Sequence, residues 1–127
     1  MGKIRAHLAA TFFAASIWTG QPGLAGLADT FTECVGRVSA EMEHAWLIGD
    51  PAADELENQR RVFLSLAAAT IPEGQARQAL AYRIEVKLAH ASLLAQATFG
   101  QDANRSLRAR RLARRYLETC QQMLLDS

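Results

Sequence analysis

The chain has 127 residues, of which 50% are hydrophobic and 21% are charged. This composition is typical of a globular protein and excludes a disordered chain. The length allows one domain. The formal net charge is only +1, which argues against a general binder of polyanions.

The N-terminal segment has the three-part pattern of a secretory signal peptide. Lys3 and Arg5 form a basic start, residues 8–18 are an apolar run, and Gly26-Leu27-Ala28 places small residues at the positions that a signal peptidase recognises. The apolar run is too short to span a bilayer, which takes about 20 residues. We therefore expect a signal peptide over residues 1–28, cleaved after Ala28, or alternatively after Ala25. A location in the periplasm or outside the cell follows from it.

Residues 29–127 then form a single domain, and their apolar residues recur with helical spacing. The first predicted helix begins at a capping box, Thr30-Phe31-Thr32-Glu33, and ends at Gly49, a residue suited to a left-handed C-cap. The second begins at Asp50-Pro51, where aspartate is a good N-cap and proline a good first residue.

The third helix is predicted from Pro72-Glu73 to Phe99-Gly100, and the fourth begins after Asp102 and runs almost to the C-terminus. The breaks between helices are short, so consecutive helices are expected to pack antiparallel. The predicted fold is all-α, a small four-helix bundle with up-down-up-down topology.

The two cysteines are predicted to form a disulfide that joins the first and last helices. Cys34 lies near the start of the first helix and Cys120 near the end of the fourth, and both lie on apolar stripes. An up-down-up-down bundle brings these two helix ends together, and two cysteines in an exported protein are expected to pair.

No catalytic, nucleotide-binding or haem-attachment motif is present in the sequence, and we predict a non-catalytic protein without a cofactor or metal. One Glu-x-x-His step, Glu41 to His44, resembles half of the ligand set of a di-iron bundle. His90 of the third helix is the other mature histidine. A small ligand- or metal-binding bundle that uses Glu41, His44 and His90 is therefore an alternative.

Charge is unevenly distributed along the mature chain. Residues 29–57 contain eight acids and one arginine, whereas residues 105–115 contain six arginines and no acid. One interpretation is a patch for anionic envelope surfaces, formed by Arg108, Arg111 and Arg115. The simpler interpretation is that the acidic first helix lies beside the fourth and that their opposite charges pair.

The third helix carries apolar residues on two opposite faces. One stripe contains Leu80, Ile84, Leu88, Ala91 and Ala95. The opposite stripe is predicted to face outward as a ridge for a partner or a second copy: Ala79, Tyr82, Val86, Ala89, Leu93 and Ala97. A helix of a simple bundle needs only one apolar side for its core, so a second row indicates an interface.

These patterns favour a small periplasmic interaction protein, such as an adaptor, inhibitor or accessory subunit, that acts by surface binding. Its expected partner is another envelope protein or a second copy of the chain. Nucleic acid is not expected as a partner, because no aromatic residues accompany the arginines. After cleavage the protein is not expected to be an integral membrane protein.

Overall fold

The computed structural model describes residues 24–126. In this range the chain forms four α-helices and no strand: α1 (Leu24–Ile48), α2 (Ala53–Thr70), α3 (Ala76–Phe99) and α4 (Ala103–Leu125). The all-helical fold is thereby confirmed. Most of the predicted signal peptide lies outside the described residues, and its last residue, Ala28, is buried in α1. None of the four helices is both long enough and apolar enough to cross a membrane.

The predicted capping box at the start of the first helix is wrong. α1 begins at Leu24, so Thr30 lies inside the helix and its hydroxyl donates to the carbonyl of Gly26 at 2.8 Å. Glu33 pairs with Arg37 one turn later, and so does not reach back to a helix start. A threonine that bonds to the carbonyl four residues earlier is common inside helices, and sequence spacing does not separate that role from a cap.

Of the later boundaries, the predicted start of α3 at Pro72-Glu73 is wrong: the chain first makes a turn in which the Gln75 amide donates to the Pro72 carbonyl, and α3 begins at Ala76. The end of α1 and the start of α4 follow the predicted signals. Gly49 has φ +70° and ends α1. The carboxylate of Asp50 accepts from the amide of Ala52 at 2.9 Å, so the residue shapes the turn before α2 and does not cap the helix directly. Asp102 is the N-cap of α4, because its carboxylate accepts from the Arg105 amide at 2.9 Å.

α1 is the central helix of the molecule. It packs along both α2 and α3, while α4 packs chiefly on α3 and touches α1 less. Over residues 24–126, α2 and α3 have no extended contact with each other, although they are consecutive and joined by a short turn. The expectation that all consecutive helices pack side by side is therefore wrong for this pair, because each of the two packs on α1.

The predicted disulfide is present between Cys34 and Cys120 and joins α1 to α4. Both cysteines are almost fully buried within the main hydrophobic cluster, beside Val35, Val38 and Phe63. The bond makes up for the small α1–α4 contact, since it fixes the end of α4 against the centre of the fold.

Candidate interaction surfaces

α3 presents its two apolar faces in the opposite way to the sequence-based interpretation. Leu80, Ile84 and Leu88, which were expected to face the core, are 46%, 48% and 64% exposed. These three residues, here called the outer stripe, lie on successive turns of the helix. The residues of α3 that are buried are His90, Leu94 and Ala97.

The predicted partner ridge is largely turned toward the rest of the fold. Ala97 is buried, Ala79, Val86 and Leu93 are half-buried, and Ala89 is exposed. Val86, Ala89 and Leu93 line a shallow groove beside His90 of α3 and Tyr116 of α4. Tyr82 stays exposed at the edge, where partial burial and the nearby Glu33 carboxylate raise the pKa of its phenol.

A second groove, of about 160 Å³, opens between α2 and α3. It exists because these two helices do not close over α1, and Thr32 and Val35 of α1 form its buried floor. The Thr32 hydroxyl is buried without a hydrogen-bond partner among the described residues. The walls are Leu64, Ala67 and Ala68 from α2, Ile71 just after its end, and Ala76, Ala79, Leu80 and Arg83 from α3.

The groove and the outer stripe form one continuous apolar surface. Leu80 belongs to both, and Ile84 and Leu88 extend the surface along α3 beyond the groove. Rows of exposed large apolar side chains of this kind are less common on monomeric proteins than isolated ones.

The one charged residue among those that line the groove is basic. Arg83 lines the groove, and Arg77 is exposed one and a half turns before it. One turn from the groove along α1 and α2, Arg60 donates to the Ser39 hydroxyl at 2.9 Å. None of these three arginines forms an ion pair with a residue in the described part of the chain.

The residues of the metal-site alternative are only partly brought together. His90 is buried, and its Nε2 lies 2.7 Å from Oε1 of Glu41. His44 instead bonds through Nε2 to the Thr98 hydroxyl at 2.9 Å. Residues 24–126 contain no group of three histidine, cysteine or acidic residues that is able to hold a metal ion. The buried His90–Glu41 pair therefore links α3 to α1 and lacks a third ligand.

The expectation that the arginines of α4 pair with the acids of α1 is wrong. Of these acids, Glu33, Glu41 and Glu43 are engaged with Arg37, His90 and Lys87 respectively. All six arginines of α4 are exposed, and within the described residues none of them forms an ion pair: Arg105, Arg108, Arg110, Arg111, Arg114 and Arg115.

The fold and its surfaces define the class only as a small all-helical protein in which a disulfide joins the first helix to the last. No family model, curated protein or solved structure matches the chain. Function therefore has to be argued from the surfaces themselves.

Proposed function

We propose that the chain is a non-catalytic interaction protein that binds an amphipathic helix of a partner protein. The binding surface is the groove between α2 and α3 together with the outer stripe. The observation that carries the proposal is the row Leu80, Ile84 and Leu88, which is exposed and continues an apolar groove. An amphipathic helix that lies in such a groove, anchored every three or four residues, is a recurrent mode of recognition.

The size of the groove favours a side chain of a partner over a free small molecule. Pockets for small ligands have volumes of about 300–1,000 Å³, whereas this groove has about 160 Å³. A cavity of that size holds one benzene-sized group. A partner helix would insert one large apolar side chain there and lay its next turns along the outer stripe, which extends for about 12 Å at 1.5 Å per residue.

The charges around the surface favour an acidic partner helix. Arg60, Arg77 and Arg83 have no carboxylate partner among the described residues. Carboxylates on the flank of a partner helix would complement them, which speeds association and selects against basic partners.

An extracytoplasmic location belongs to the same proposal. A disulfide that persists in a protein is typical of oxidising compartments, and the N-terminal pattern is that of an export signal. The up-down-up-down topology is also part of it. It is supported by the bond between Cys34, in the first half of α1, and Cys120, near the end of α4.

The test is site-specific photocross-linking in the envelope of the producing cell. A photoreactive residue at position 88 is expected to give one discrete cross-linked species, and one at exposed position 118 on α4 is not. Ile84→Glu should remove that species without unfolding the protein, because Ile84 is half exposed. A product of twice the chain mass would show that a second copy, and not a partner, occupies the surface.

Leu93→Glu is the matched variant on the opposite face of α3. Leu93 packs against the buried cluster of Ala40, Leu94 and Ala113, so a charge there should lower the melting temperature before it affects binding. The proposal is wrong if positions 88 and 118 give the same products, or if Leu93→Glu abolishes binding in a protein of unchanged stability while Ile84→Glu does not.

A further inference from the structure

The strongest unexplained charge feature of the molecule is the outer side of α4. Four exposed arginines lie there within two turns, and together they are called the arginine face: Arg108, Arg111, Arg114 and Arg115. Arg110 is left out because its guanidinium donates to the carbonyl of Ala97 at 3.1 Å. None of the four lines the groove between α2 and α3.

The fold does not neutralise the arginine face. No ion pair to these four residues occurs in the described part of the chain. Arg111 and Arg115 are four residues apart, and like charges at this spacing destabilise a helix by about 0.2–0.5 kcal/mol. Glu118 is the one acid within α4, so the helix carries a large excess of positive charge that the fold itself does not use.

We propose that the arginine face docks onto the phosphate headgroups of an anionic lipid membrane. The face is the convex outer side of a single helix, so several of its guanidinium groups can contact a flat array of anions at once. Guanidinium groups bind phosphate oxygens in bidentate fashion. A Lys/Arg cluster on one helix is the usual sequence sign of such recognition.

A protein partner fits this face less well than a membrane does. Protein interfaces have an apolar centre, but near the arginine face Leu107 is the one large apolar residue of α4 that is exposed between Arg105 and Arg115. The same scarcity of apolar side chains means that the helix adsorbs at headgroup level and does not insert. Bound in this way, the protein keeps the groove between α2 and α3 free for its partner.

The test is binding of the protein, purified in its exported form, to vesicles of phosphatidylcholine with and without phosphatidylglycerol. Each arginine near an anionic surface contributes a factor of about five in the partition coefficient. Arg111→Gln with Arg115→Gln should therefore weaken binding to the anionic vesicles by about 25-fold. The control, Arg61→Gln, removes one charge from an exposed position on α2 and should leave binding unchanged, whereas Arg111→Gln alone should already weaken it about fivefold.

Raising the salt concentration should weaken the binding, because the screening length falls from about 10 Å at 0.1 M to about 3 Å at 1 M. Binding of equal strength to vesicles without phosphatidylglycerol would overturn the proposal, as would an equal loss in the control variant. If the protein binds neither kind of vesicle but binds polyglutamate in a salt-dependent way, the lipid assignment is wrong and the arginine face recognises acidic protein. Ile84→Glu should not change vesicle binding, so this test is independent of the groove.

Discussion

Replacing Gly36 by alanine should destabilise the fold, although alanine is the better helix former. Gly36 lies where α1 crosses α3. A Cβ atom there would come within 2.7 Å of the carbonyl oxygen of Arg83 and within 3.1 Å of the amide nitrogen of Lys87, whereas ordinary contacts begin at 3.4 Å. Both neighbours are backbone atoms, so no side-chain rotation relieves the clash and the two helices have to separate.

The magnitude follows from two opposing effects. In an open helix, glycine to alanine gains about 1 kcal/mol, while forcing an extra carbon into a packed contact costs about 1–3 kcal/mol. The contacts that loosen include the buried pairing of α1 with α3 at His90. We expect a net loss of up to about 2 kcal/mol, and for a domain of this size each kcal/mol lowers the melting temperature by about 4–8 °C.

Thermal unfolding followed by circular dichroism measures this change. Ala81→Gly, at an exposed position of α3, is the control that isolates helix propensity and should cost about 1 kcal/mol. If Gly36→Ala raises the melting temperature by the amount expected from helix propensity alone, α1 and α3 are not in contact at this residue. The packing around the central helix would then have to be revised.

Three further outcomes are expected. Replacing Cys34 and Cys120 together by alanine should destabilise the protein by up to about 4–5 kcal/mol, because the bond closes a loop of 86 residues and restricts the unfolded chain. Thermal unfolding with and without reductant measures this loss, and an unchanged midpoint contradicts it. Glu41→Ala should lower the free energy of unfolding in urea by about 1–3 kcal/mol, because it leaves buried His90 without a partner. Glu41→Gln keeps a hydrogen-bond acceptor and should lower it less. Equal losses in the two variants would refute a hydrogen-bonding role for Glu41. Zinc should not raise the melting temperature, because His44 bonds to Thr98 and does not join His90 and Glu41. A rise would support a metal site.

The end of α1, the start of α4 and the disulfide were predictable because local chemistry determines them. A glycine with positive φ ended α1 at Gly49, and a capping carboxylate began α4 at Asp102. The pairing of Cys34 with Cys120 needed only the order of the helices and the expectation of an exported protein. The start of α1 was missed because Thr30 and Glu33 have partners within the helix that suit them as well as a cap does.

The faces of α3 were not predictable, because its sequence has apolar residues almost all around. Periodicity shows which residues share a face but not which face meets the core. That choice depends on Gly36, whose missing side chain lets α3 approach α1 along Arg83, Val86 and Lys87. The signal in the sequence was a single glycine in the middle of a long amphipathic helix, a position that usually has a packing reason.

The central position of α1 accounts for both proposed surfaces. Because α2 and α3 each pack on α1 and not on each other, a groove stays open between them and Leu80 lies at its rim. Because α4 packs chiefly on α3, its arginines lie away from the acids of α1. Glu33 and Glu43 of α1 pair instead with Arg37 of α1 and Lys87 of α3. A bundle in which each helix packed on the next in sequence would close the groove and bring the opposite charges together. The two surfaces are therefore consequences of one packing arrangement, and a structure in which α2 and α3 touch along their lengths would remove the basis of the first.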